Sequence, residues 1–167
     1  MSKAIYKRVI AIVLLALAMY SAIFSYLYSS YNLQETKLEM IDLIGEIDKH
    51  IEGVSDDEIQ SVVSYFQPFM QLKNSRITVI SETGEVLAET DEDAEIKDNH
   101  GDRPEIVDAE NDKIGVSVRY SNTLSMNMLY VAEKSTHSDN IIRIAIPYSN
   151  KLIFMKTQLP SIIITTI

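Results

Sequence analysis

The hydrophobic positions change their spacing several times along this chain, and each change predicts an element. From Val9 to Leu27 nineteen residues, VIAIVLLALAMYSAIFSYL, carry no charge. At about 1.5 Å of rise per residue such a run crosses a hydrocarbon layer of about 30 Å. Helical spacing then takes over: Met40, Ile44, Ile47 and Ile51 recur through LEMIDLIGEIDKHIEG, so a helix is expected to continue to a stop at Gly53. Ser55-Asp56-Asp57-Glu58 has the form of a capping box, opening a second helix through Val62, Val63 and Phe66 to about Pro68. The spacing then drops to two. Arg76–Ile80 and Val86–Ala88, separated by a Glu82-Thr83-Gly84-Glu85 turn, predict a hairpin. Asp102-Arg103-Pro104-Glu105 offers an N-cap, an early proline and an acid, so a short helix is expected to about Glu110. Gly115–Tyr120, Met126–Ala132 and Ile141–Ile146 predict three more strands. Helices, a hairpin, a helical connection and three sequential strands define an α+β domain.

The apolar run is read as an uncleaved anchor. A signal peptide has a shorter core, about 7–15 residues, and ends at a small-x-small site, which is not found after Leu27. Lys3, Lys7 and Arg8 precede the run, which places the N-terminus in the cytoplasm and exports the residues after Leu27. Tyr26, Tyr28 and Tyr31 fall where an outer aromatic belt belongs, with Tyr6 at the inner one. Ala18, Ser21, Ala22 and Ser25 share a helical face, which is either a close-packing stripe or chance. After Lys156 the chain reads TQLPSIIITTI, uncharged and too short to span; it is expected to be the start of a second membrane helix, cut off, with a C-terminal strand as the alternative. The expected organisation is cytoplasmic N-terminus 1–8, membrane helix 9–31, exported domain 32–156 and start of a second membrane helix 157–167.

Composition narrows the functional classes. The 167 residues are 46% hydrophobic and 23% charged, which excludes disorder and low complexity. With no cysteine, disulfide scaffolds, thiolate metal sites and cysteine nucleophiles are excluded. Acidity is local: residues 82–112 hold 13 Asp or Glu against Lys97 and Arg103, a balance of −11 beside −9 for the whole chain. Nucleic acid is therefore excluded as a partner, because phosphate binding needs a basic surface. The five glycines are scattered and form no phosphate-cradling loop.

The run RITVISETGEVLAETDEDAEIKDNHGDRPEI, together with the later IGVSVRYSNTLSMNMLYVA and IIRIAIPYS, resembles the extracytoplasmic sensor of PhoR-type (phosphate regulon) and related sensor histidine kinases. An N-H-x-x-R-P-E motif is matched by Asn99, His100, Arg103, Pro104 and Glu105, and a G-x-S-x-R-Y-S strand by Gly115, Ser117, Arg119, Tyr120 and Ser121. The resemblance implies a PAS-like (Cache-like) five-stranded antiparallel sheet with helices on one side. It also implies a homodimer in the plasma membrane that answers an extracytoplasmic ligand or protein. A response regulator would be reached only through a kinase core, and this sequence has neither a phospho-accepting histidine in a cytoplasmic segment nor an ATP-binding domain. His50 falls in an exported helix and is not a phospho-acceptor. The chain is accordingly read as non-enzymatic and cofactor-free. The alternative reading is a stand-alone membrane-anchored binding protein that dimerises with related sensors.

The candidate ligand-binding residues are Asn99, His100, Arg103, Arg119 and Tyr120. His100 is either a metal-binding or pH-responsive group or, the favoured reading, a loop-structuring one. Arg103 either grasps an anion through its planar fork or, as favoured, pairs with a local acid such as Asp102 or Glu105. Arg119 and Tyr120 alternate on a strand, so one faces the core and the other solvent; a pocket role for them rests only on the resemblance. Asp91, Asp93, Glu95, Asn99 and Asp102 match positions of a calcium-binding loop, but Ile96 stands where the sharp turn needs glycine, so the segment is read as a solvated acidic loop. No metal site is expected. Met126, Met128 and Met155 are expected in packing.

Topology is directly testable because the chain has no native cysteine. With cysteine placed at Asn111, an impermeant thiol reagent is expected to label intact cells. Labelling that requires membrane rupture would reverse the orientation.

Overall fold

In a computed structural model the chain is described at residues 3–72, 75–90, 99–111, 113–122 and 124–148. Most of the calcium-loop pattern, Met155 and the expected second membrane segment lie outside these residues. The chain divides into two units, one reaching to Thr36 and one beginning at Lys37.

The first unit is the N-terminal part of α1, a helix that runs without interruption from Lys3 to Ile51, 49 residues. Its apolar side chains are bare: Leu15 is 63% exposed, Ile12 66% and Tyr20 68%. Such a surface has no favourable contact with water, whereas in hydrocarbon the helix already satisfies its own backbone groups. Among the described residues it is the one helix long and apolar enough to cross a membrane. Tyr20, Phe24 and Tyr28 stack one turn apart along it, with ring centroids 6.2 and 6.1 Å apart.

The second unit is built on a five-stranded antiparallel sheet. Its strands are β1 (Arg76–Ile80), β2 (Val86–Glu89), β3 (Gly115–Ser121), β4 (Met126–Lys134) and β5 (Ile141–Pro147), in the spatial order β2-β1-β5-β4-β3. α2 (Ile59–Leu72) precedes the sheet and α3 (Pro104–Glu110) joins β2 to β3. The α+β fold and all five predicted strands are therefore present, each within two residues of its expected end.

Cross-strand register sorts the side chains into two unlike faces. Val79 pairs with Ala88 and Ile142, Ile77 with Ile144, and Ile144 with Val131. These residues form an apolar patch, each no more than 2% exposed, with Glu133 opposite Ile142 on the same face. α2 packs against β1 and β2, and the stripes Met40, Ile44, Ile47, Ile51 of α1 and Ile59, Val63, Phe66, Met70 of α2 are buried. On the other face Ile106 and Ala109 of α3 cluster with Ile80, Ala132 and Ile141. Helices thus serve both faces, where the sequence resemblance implied one.

Several local expectations change. α1 ends at Ile51, before Gly53, whose φ of 73° is the left-handed conformation that stops a helix. α2 starts later than a capping box would place it, because the Ser55 hydroxyl donates to the Glu58 carboxylate, 3.0 Å away, and accepts no helical N–H. α2 also continues past Pro68 to Leu72, since Pro68 is exposed while Phe66 and Met70 on either side are buried. The N-cap of α3 is Arg103, without a side-chain bond, in place of Asp102; Glu105 turns into the sheet. Met128 is buried as expected, but Met126, at the first position of β4, is 39% exposed and leaves the core.

Two contacts set spacing between layers. Gln60 of α2 donates to the Glu89 carbonyl at 3.0 Å and accepts from the Glu89 N–H at 3.1 Å, satisfying the outer edge of β2 with one side chain. At Gly115 an added Cβ would overlap the backbone carbonyl of Glu105, so α3 lies against β3 with no room for a side chain. Gly115→Ala is expected to lower stability by roughly 1–3 kcal/mol through overpacking, and Ile142→Ala by about 2–5 kcal/mol through lost burial and a cavity. Denaturant unfolding of the whole chain in detergent micelles checks both. A Gly115→Ala midpoint equal to that of the parent would remove the close approach.

Candidate functional site

Period-two alternation through I-I-R-I-A-I of β5 places Arg143 on the α3 side of the sheet with 2% exposure. A buried guanidinium needs partners. It donates to Thr78 Oγ1 at 3.0 Å and lies 3.5 Å from Glu105 Oε1. Arg119 of β3 approaches the same oxygen at 3.2 Å. The other oxygen, Oε2, accepts from Ser117 at 2.5 Å. Both arginines stand over the Tyr130 ring, with Cζ 4.0 Å (Arg119) and 5.3 Å (Arg143) from its centroid. Nearby on the same face Arg76 and Glu89 pair at 3.3 Å.

Glu105 itself is fully buried. Burial acts to raise its carboxyl, but the Ser117 hydrogen bond, a backbone hydrogen bond and Arg119 outweigh this and hold it below the ordinary carboxylate range. Burial lowers Arg143 from the usual arginine value, with Glu105 and Glu89 opposing it. The cluster is an anion held between two cations on an aromatic floor.

Of the five residues singled out from sequence, only Arg119 belongs to this cluster. Tyr120 points to the opposite side and is 56% exposed, as alternation requires. Asn99 and His100 dock the loop before α3 onto the β1–β2 turn. Asn99 Nδ2 donates to the Thr83 carbonyl at 2.8 Å, and its Oδ1 accepts from Gly101 N at 2.9 Å. His100 N donates to the Gly84 carbonyl at 2.8 Å. Gly84 has φ 84°, and a side chain there would collide with Asn99 and Gly101. Arg103 lies 3.7 Å from Asp102, the local pairing favoured from sequence. Missed were Glu105 as the shared partner, Ser117, Arg143 and Tyr130. Their signal was available: an arginine inside an otherwise apolar strand demands a buried acceptor.

A second polar site joins α1 to the loop between β4 and β5. Asp48, 6% exposed, accepts from Ser135 Oγ at 2.5 Å, Thr136 N at 3.0 Å and Thr136 Oγ1 at 2.6 Å. His137 stands 3.9 Å from Asp48 and 3.7 Å from Glu52. Burial acts to raise the Asp48 carboxyl, and the Ser135 and Thr136 hydrogen bonds overcome it to give a net lowering. Glu133 is raised by burial and by the Asp48 charge. Among the described residues no group of three His, Cys, Asp or Glu is placed to hold a metal ion.

No family model matches the chain, and no curated protein matches it. Solved structures are similar in part. The sensor domain of the V. cholerae histidine kinase DctB shares 12% identity over 72% of this chain and 56% of its own, with a TM-score of 0.48. The extracellular domain of the putative histidine kinase rpHK1S-Z16 shares 11% over 52% of this chain and 37% of its own, TM-score 0.39. The Bacillus subtilis YkuI protein, which has an EAL domain and was solved with c-di-GMP and calcium, shares 16% over 70% and 35%, TM-score 0.45. The chain thus spans from about a third to just over half of the length of these neighbours. At such identities the likeness concerns fold and transfers no residue roles.

The two lowered carboxylates set an acid limit. A depressed folded-state pKa gives stability that is complete above the unfolded value of about 4 and is lost as pH falls through the folded one. Glu133, raised, has the opposite sign and disfavours the fold as it ionises. Melting of the chain is therefore expected to decline below about pH 4. Asp48→Asn is expected to lower the neutral plateau by roughly 1–3 kcal/mol and to flatten the acid limb. Parallel wild-type and variant profiles from pH 3 to 7 would contradict this.

Proposed function

We propose that this chain is the membrane-anchored, extracytoplasmic signal-sensing module of a two-component sensor histidine kinase. The observation that carries the reading is α1: one helix whose first part has membrane-spanning composition and whose last turns enter the domain core, where Asp48 is gripped by the β4–β5 loop. A change in the sheet or its loops reaches a helix of that kind without an intermediary. The finer assignment, PhoR-type, is supported by the N-H-x-x-R-P-E and G-x-S-x-R-Y-S motifs. The domain, about residues 32–156, faces outward, the module works as a homodimer, and the signal enters through the segment from Asn99 to Glu105 and the strand bearing Arg119 and Tyr120. A response regulator is reached through a kinase half. The chain itself phosphorylates nothing.

The test is a chimera in which residues 1–167 precede the cytoplasmic half of a sensor kinase with a transcriptional reporter. Asp48→Ala, which frees the β4–β5 loop from α1, is expected to shift basal output at least about fivefold at equal membrane abundance, the scale of a coupling of about 1 kcal/mol. Output indifferent to Asp48→Ala, Arg103→Ala and Arg119→Ala would favour a stand-alone anchored binding protein.

A further inference from the structure

The Glu105 cluster contains more donors than its carboxylate accepts. Oε1 is shared by two guanidiniums at 3.2 and 3.5 Å, a distance at which the Arg143 contact is an ion pair and not a good hydrogen bond. Arg143 Nε and Nη1 and Arg119 Nε are buried and make no hydrogen bond with the described residues. Buried arginine donors ordinarily find acceptors, so unfilled ones mark a place built for an oxyanion. The group that stands there comes from α3, seven residues long, whose Arg103 N-cap has no side-chain bond. Arg119 is 28% exposed, so the cluster also has a side open to solvent.

We propose that Arg119, Arg143 and Ser117, floored by Tyr130, form a carboxylate-binding site whose resident ligand is the chain's own Glu105. α3 is then the tethered occupant of the site and not a wall around it. The chemistry has three consequences. First, free carboxylates do not compete with an occupant whose local concentration is set by a short tether. Second, removing the Glu105 carboxylate vacates a site with fixed donors, and a small free carboxylate takes its place with better-aligned bonds to Arg143. Third, the position of α3, and not the arrival of an anion at the sheet, is what the module reports. Only this third consequence rests on the sensor reading.

The experiment uses the whole chain in detergent micelles, with acetate as probe and chloride at matched ionic strength as control. Wild type is expected to melt at the same temperature with and without acetate. Glu105→Ala is expected to melt lower and to gain about 5–10 °C in a saturable manner as acetate approaches a hundredfold excess over its dissociation constant. Adding Arg119→Ala to it is expected to abolish the gain. Glu105→Ser also removes the carboxylate and leaves the space empty, and receives the same titration should the alanine variant fail to fold. Wild type stabilised by acetate as strongly as the variants would overturn self-occupation. Variants that fold and ignore acetate would overturn the site itself. In the kinase chimera, an output locked by Glu105→Ala and reset by acetate supports the signalling consequence; a chimera silent in all states, with melting behaviour as expected, would sink the sensor reading and leave the site standing.

Discussion

Holding the Glu105 carboxylate at zero exposure beneath a seven-residue helix costs several kcal/mol of hydration, which only opposite charge and hydrogen bonds can offset. The arrangement around it answers that requirement. Ser117 and Arg119 must sit at alternate positions of β3 to reach it, and Arg143 must come from β5 across β4. Tyr130 of β4 lies between the two arginine strands and screens their mutual repulsion with its ring face. The close approach has a steric condition too, and Gly115 meets it by carrying no side chain where the Glu105 carbonyl passes. The two motifs that stand apart in the sequence, one ending in Pro104-Glu105 and one running from Gly115 to Ser121, are therefore two halves of a single contact.

Asp48 obeys the same rule with a different solution. Among the described residues no arginine pairs with it; hydroxyl and backbone donors from Ser135 and Thr136 satisfy it. A carboxylate with three donors from one loop fixes that loop's orientation, while the His137 ring, a third exposed, stands 3.9 Å away. α1 is thereby held by a directional bond set and not by apolar contact alone. Apolar stripes tolerate sliding by small amounts, whereas three hydrogen bonds to one carboxylate do not.

Much of the fold was legible because burial writes a period into the sequence. The strands were readable from alternation, the stop of α1 from Gly53, the start of α3 from Pro104, and the hairpin from Gly84. The apolar run of α1 was readable from length alone. Less was legible where side chains choose between partners. The Ser55 and Asp102 caps satisfy local rules, but Glu58 took the Ser55 hydroxyl, and Glu105 found charged partners thirty-eight and fourteen residues on, in Arg143 and Arg119. Local sequence carries no record of such distant competition. Asn99 and His100 attract notice for their chemistry, and their role is to seat a loop on a turn.

Charge segregation along the chain acquires a structural meaning from the register. The acidic stretch 82–112 supplies Glu89 and Glu105, while its arginine partners lie outside it, on β1, β3 and β5. Arg76, Arg119, Lys134 and Arg143, the cations of the strands, all fall on the α3 face by their pairing with Ala145, Met128, Ile141 and Thr78 respectively. The opposite face carries the apolar set around Val79 and Ile144, with Glu133 opposite Ile142. A one-residue slip of β5 would place Arg143 beneath the apolar cover and Ile142 and Ile144 among carboxylates, at a cost of several kcal/mol for the stranded charge alone. The buried ion cluster adds little net stability over an apolar core of equal volume. Its effect is to make every other register worse, and so to commit α3 to one face of the sheet.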